Sequence, residues 1–190
     1  MTAAAIFALL FAQAPDAAAP LLPAEGCLPG DAGFLEMRLR GSIDAEIRWQ
    51  GTELACAGML RPDGRGLRLR FAGPRAGGEL AIVFAAPELA MGASARAVPV
   101  NVTLLDGAGG RIYGTRGDRL CQFDEVEQQL LEDAGLPPRS YRVRARGFCT
   151  APARAVDGDG AVLLTRFDFL GRVSFRDDDG AAAAQFGGAR

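Results

Sequence analysis

Arg142, Arg144 and Arg146 stand at every second position of one segment. On a β-strand that spacing lines three guanidinium forks along one face. A guanidinium offers paired donors in a fixed plane, so such a stripe suits a carboxylate or a phosphate. Arg142, Arg144 and Arg146 are therefore a candidate anion or partner surface, which Arg111, Arg116 and Arg119 would extend if their strands were neighbours. The plainer reading is a solvated strand face paired across to acids such as Asp124 and Glu125. Four cysteines, Cys27, Cys56, Cys121 and Cys149, form the second group. An even count in an exported chain reads as two disulfides. The sequential pairing, Cys27–Cys56 and Cys121–Cys149, would tie neighbouring elements. Cys27 also follows the small residue Gly26, as a lipidated cysteine does, but Glu25 does not suit that motif and lipidation would leave an odd thiol. A zinc site is disfavoured because no C-x-x-C pair exists.

What the chain lacks excludes more chemistry than its motifs include. Every positive side chain is arginine; lysine and histidine are both absent. Without lysine there is no Walker-type phosphate loop and no Schiff base. Without histidine there is no Ser-His-Asp or Cys-His arrangement and no imidazole metal site. The serines Ser42, Ser94, Ser140 and Ser174 lie in no G-x-S-x-G context. Two carboxylates would suffice for glycoside hydrolysis, but only Asp168, between Phe167 and Phe169, attracts attention, and no second acid is singled out. The acidic glycine turns Asp157–Gly160 and Asp177–Gly180 resemble the start of a calcium loop. The closing acid counted from Asp157 would be Asp168, inside an expected strand, so a hairpin turn is the better reading. Arg116-Gly117-Asp118 is expected by chance in this composition, and the glycosylation triplet Asn101-Val102-Thr103 matters only in a eukaryotic secretory pathway, whereas the composition looks bacterial. The sequence assigns no catalytic residue, no cofactor and no metal.

The elements that must position these residues read as strands. Leu35, Met37 and Leu39 alternate with charged residues, as do Ile43, Ala45, Ile47 and Trp49. Leu67, Leu69 and Phe71 form a further apolar face, and residues 79–86 are apolar on both faces, as a doubly covered strand would be. Val98, Val100, Val102 and Leu104 should face inward, with Pro99 marking an edge or a strand start. Tyr141, Val143 and Ala145 oppose the arginine stripe. Over 161–175, Leu163, Thr165, Phe167, Phe169, Val173 and Phe175 are expected on one face. One segment reads differently. Asp124 with Glu127 resembles a capping box, Gly135 with Pro137 and Pro138 a helix stop, and Phe123, Val126, Leu130 and Ala134 an apolar stripe. The expectation is a mostly β chain, an antiparallel β-sandwich or partly closed barrel, with one short helix near 124–134.

A length of 190 residues, 49% hydrophobic and 23% charged, with net charge −2, suits one globular domain and gives no strong field toward nucleic acid. Thr2–Ala14 is apolar, too short to span a membrane, and ends in Ala12-Gln13-Ala14, an A-x-A cleavage form. The organisation read from this is a signal peptide over 1–14, a Pro/Ala-rich linker over 15–32, a single β domain over 33–176 and a flexible tail over 177–190. The Ala-, Gly-, Arg- and Pro-rich composition suggests a GC-rich bacterial genome. The reading is an exported domain, periplasmic or secreted, with a non-catalytic binding or structural role and a protein partner in the cell envelope. The alternatives are a carboxylate-based glycan hydrolase or glycan-binding module, an inhibitor of an envelope hydrolase, or a hollow lipid-carrying barrel. No nucleic acid partner and no transmembrane span are expected, and oligomeric state is left open.

Overall fold

The computed structural model describes residues 27, 28, 30, 32–117, 119–131 and 139–175. The expected signal peptide, most of the linker, the tail and residues 132–134 of the expected helix lie outside the described residues. The strands are β1 (Phe34–Gly41), β2 (Ala45–Gln50), β3 (Ala55–Leu60), β4 (Leu67–Arg75), β5 (Gly78–Ala86), β6 (Ala95–Asp106), β7 (Arg111–Gly114), β8 (Cys121–Leu130), β9 (Arg139–Cys149), β10 (Ala153–Ala155) and β11 (Ala161–Phe175). All pair antiparallel in one sheet. Of the two architectures the alternation allowed, the chain takes the single curled sheet.

From β3 the chain meanders through β4 and β5 to β6. Between β6 and β11 lie two broken strands. β7 and β8 both pair with β6, β9 and β10 both pair with β11, and β8–β9 and β7–β10 close the middle. The pairing of β5 with β6 stops at Asn101, so Pro99 sits where one flank needs no donor from it. β11 then pairs back to β1, and β2 ends the sheet. The sheet curls until β3 and β4 face β11 across the interior. That approach is close: a Cβ at Gly58 on β3 would lie 2.1 Å from the Arg172 carbonyl oxygen. Only glycine lets the two backbones meet. Trp49 fastens β2 to β4, its ring against Gly73 and its Nε1 donating to the Pro74 carbonyl at 2.8 Å.

Alternation fills the interior. Leu35, Met37, Leu39, Leu67, Leu69, Phe71, Val98, Val100, Val102 and Leu104 are buried as their period demands. Phe71, Phe84, Phe123, Phe167 and Phe169 meet at its centre, with ring centroids 4.8–6.5 Å apart. These rings occupy the space that a hollow lipid-carrying barrel would need, and that reading is set aside. β5 is buried on both faces: outward Ala81 and Val83 lie low between the longer Arg70 and Leu105 on its neighbours.

Two expectations are corrected. Residues 124–130 belong to strand β8, not to a helix. The register shifts between Phe123 and Glu125, a bulge that leaves Asp124 extra. Phe123 and Val126 thus both face inward three residues apart, which imitates helical spacing. Glu127, read as part of a capping box, lies opposite Arg144 instead, and Glu125 lies opposite Arg146, as the cross-strand pairing of the stripe anticipated. Across the bulge, Ala97 takes φ +53°, the left-handed region. In β11 a second shift leaves Thr165 unpaired with β1, between Leu164 opposite Leu39 and Arg166 opposite Arg38. Val162 and Leu164 are therefore the buried residues, not Leu163 and Thr165.

One charged pair is built into the fold. Asp106, 7% exposed, accepts from the Arg75 guanidinium, joining the β4–β5 and β6–β7 turns. Burial pushes its carboxyl pKa up, but Arg75 and the backbone N–H groups of Gly109 and Ala108 outweigh this and hold it below its ordinary 3.8. A depressed carboxylate pKa contributes stability above the unfolded value, and that stability fades as pH falls through the folded value. Asp106→Asn is expected to lower stability by about 2 kcal/mol at neutral pH. The gap between Asp106→Asn and the parent should shrink in urea titrations repeated near pH 3. An unchanged gap would remove Asp106 from the acid response.

Candidate functional site

Period two places Arg142, Arg144 and Arg146 together on the outer face of β9, while Val143 and Ala145 turn into the core. β8 sets Glu125, Glu127 and Gln129 beside them on one flank, and β11 sets Asp168, Leu170 and Arg172 on the other. The three arginines then differ. Arg146 binds the Glu125 carboxylate at 2.7 Å, and Arg96 takes its other oxygen at 2.8 Å. Arg144 meets Asp168 at 3.4 Å and lies 5.6 Å over the Phe34 ring. Arg142 is exposed, has no ion pair among the described residues, and faces Gln129 and Arg172. Arg172 donates to Ser140 Oγ at 2.8 Å, and Ser140 hydrogen-bonds Ser174 at 3.0 Å. The stripe is thus neutralised at Arg144 and Arg146, while Arg142 has no acid beside it and stands opposite Arg172 in the register. Like charges in that position repel.

A shallow cavity of about 70 Å³ opens between Glu125, Glu127, Arg144, Ala145 and Arg146. A water takes about 30 Å³ of liquid volume and drug-sized ligands need roughly 300 Å³ or more, so this depression suits waters between ion pairs.

The other sequence candidates are dispersed. Arg111 begins β7, away from the β9 stripe, and donates to the Asp159 carbonyl at 3.4 Å, and Arg116 and Arg119 lie in the β7–β8 link. Residues 157–160 turn the β10–β11 hairpin, and no group of three acids, cysteines or histidines that could hold a metal occurs among the described residues. Asp118 and the acidic run over 177–180 lie outside the described residues. Ser42 Oγ accepts from the Ala161 backbone and Ser94 Oγ from the Gln128 backbone, so both serve local structure. The structure also supplies an acid that the linear reading missed. Glu36 on β1 faces Asp168 directly. The two are 132 residues apart, and only the β1–β11 register joins them. Arg144 meets one oxygen of Asp168, the other is buried with no hydrogen-bond partner among the described residues, and Glu36 takes part in no ion pair among them.

Cys27–Cys56 and Cys121–Cys149 are the two disulfides, as the sequential pairing anticipated. The second joins directly opposed residues of β8 and β9 where both strands break. Compared with protein-family models, curated proteins and solved structures, the chain gives no match.

Proposed function

We propose that this chain is an exported, disulfide-stapled binding module of the cell envelope. It recognises an acidic protein surface through the outer face of β9 and β11 around Arg142 and Arg172. The observation that carries the reading is the opposition in register of Arg142 and Arg172, beside Arg144 and Arg146, which are paired with acids. An unneutralised guanidinium pair repels itself in the monomer, and a bidentate carboxylate from a partner relieves it. The two disulfides fit an oxidising compartment, extracellular or periplasmic. Among the described residues no helix is long and apolar enough to cross a membrane. A glycan platform draws less support, since Trp49 and Tyr113 are buried and Tyr141 packs edge-on against Phe175 at 5.6 Å.

The test is Arg142→Glu. The reversal replaces a repelling pair with an attracting one, so thermal stability should hold or rise, by about 0.2–1 kcal/mol. The parent is expected to retain an envelope protein that elutes with added salt, and Arg142→Glu should lose it. Equal retention by both proteins, or none by the parent, would sink the proposal.

A further inference from the structure

The geometry points to a second copy of this chain as the partner of β2, paired edge to edge about a two-fold axis at Ile47. Among the described residues β2 is bonded to β1 on one side only, along residues 45–50. Its other edge offers unpaired N–H and C=O groups, which natural monomers usually protect with proline, a bulge or an inward charge. β2 has none of these: Ala45, Ile47 and Trp49 point inward and Glu46, Arg48 and Gln50 outward, in an unbroken six-residue strand. The other end of the sheet is guarded. β3 carries the Cys27–Cys56 tie and rests Gly58 on the Arg172 backbone.

Charge selects the occupant and the register. Inner residues must face inner residues, so the axis has to pass through a residue rather than between two. An axis at Ile47 sets Glu46 of each copy opposite Arg48 of the other. An axis at Glu46 or at Arg48 sets like charges face to face, which is destabilising. Both groups are available. Glu46 uses Oε1 for Arg38 at 3.0 Å and keeps its second oxygen, and Arg48 has no ion pair among the described residues. The interface is isologous and closes at two copies, because pairing consumes the edge it uses. It does not involve Arg142 or Arg172 and stands apart from the acidic-partner reading.

The experiment is analytical sedimentation of the full, oxidised chain across a concentration series. The parent is expected to dimerise. Arg48→Glu and Glu46→Arg should each weaken association by about tenfold or more, since each turns two attractive pairs into repulsive ones. Mixing the two variants should restore a heterodimer, because each reversed position then meets an opposite charge. Hydrogen exchange across β2 in the parent should slow as concentration rises. A parent that stays monomeric overturns the proposal, whether the edge is bare or covered by residues 1–26 of its own chain. So does a dimer indifferent to both reversals, or a mixture that forms no heterodimer.

Discussion

Replacing Phe84 by alanine is expected to cost about 3–5 kcal/mol of folding stability, in the range of large aromatic truncations in cores. Phe84 is fully buried on β5 and its ring meets four others, Phe71, Phe123, Phe167 and Phe169, at 4.8–6.3 Å. Those rings come from β4, β8 and β11, strands held by their own ladders, so the site has little freedom to collapse. A vacated volume that cannot close loses its dispersion contacts as well as its transfer free energy. Edge-to-face and tilted ring pairs add about 0.5–1.5 kcal/mol beyond area. Phe148→Ala is the control. Phe148 is half-buried on the outer face of β9 and should cost clearly less. Urea titrations of both variants decide the matter. Equal losses, with unchanged slopes, would mean that Phe84 is not the hub of the core.

That hub also marks the limit of what the linear chain discloses. Alternation at Leu35–Leu39, Leu67–Phe71 and Val98–Leu104 reports facing directly, because side chains on a strand change sides at each residue and burial follows. The disulfide pairing was legible for a similar reason, since each bond closes a loop between nearby elements. What failed was whatever depends on register. Asp124 and Thr165 are single extra residues, and each reverses the facing of what lies beyond it. Neither is marked by glycine or proline. Beyond Asp124 the result copied a helical stripe. The same dependence hid the opposition of Arg142 with Arg172 and of Glu36 with Asp168, which two-strand pairing alone creates. The arginine stripe was visible as a stripe; which of its members would be neutralised was not.

Reduction is expected to unfold the chain, or nearly so. Cys27–Cys56 and Cys121–Cys149 close loops with separations of 29 and 28 residues. By the chain-entropy account each is worth about 3–4 kcal/mol, and the two together about 6–8 kcal/mol. Domains rarely hold more than about 5–15 kcal/mol in total, so losing both removes most of the margin. The two bonds should differ in what else is lost. Cys121 and Cys149 are already opposed on β8 and β9, and Thr150 donates to the Leu120 carbonyl at 2.7 Å beside them. Their removal as Cys121→Ala with Cys149→Ala should lower the melting temperature by roughly 6–16 °C and leave the folded spectrum intact. Cys27 anchors the segment before β1, with its buried neighbour Leu28, to the edge strand β3. Cys27→Ala with Cys56→Ala should bring a similar loss and also open the chain ahead of Phe34 to limited proteolysis. If the fully reduced parent melts within a few degrees of the oxidised one, the sheet is self-sufficient. The oxidising compartment would then lose its physical reason, because a fold that stands without its two bonds has no need of an environment that makes them.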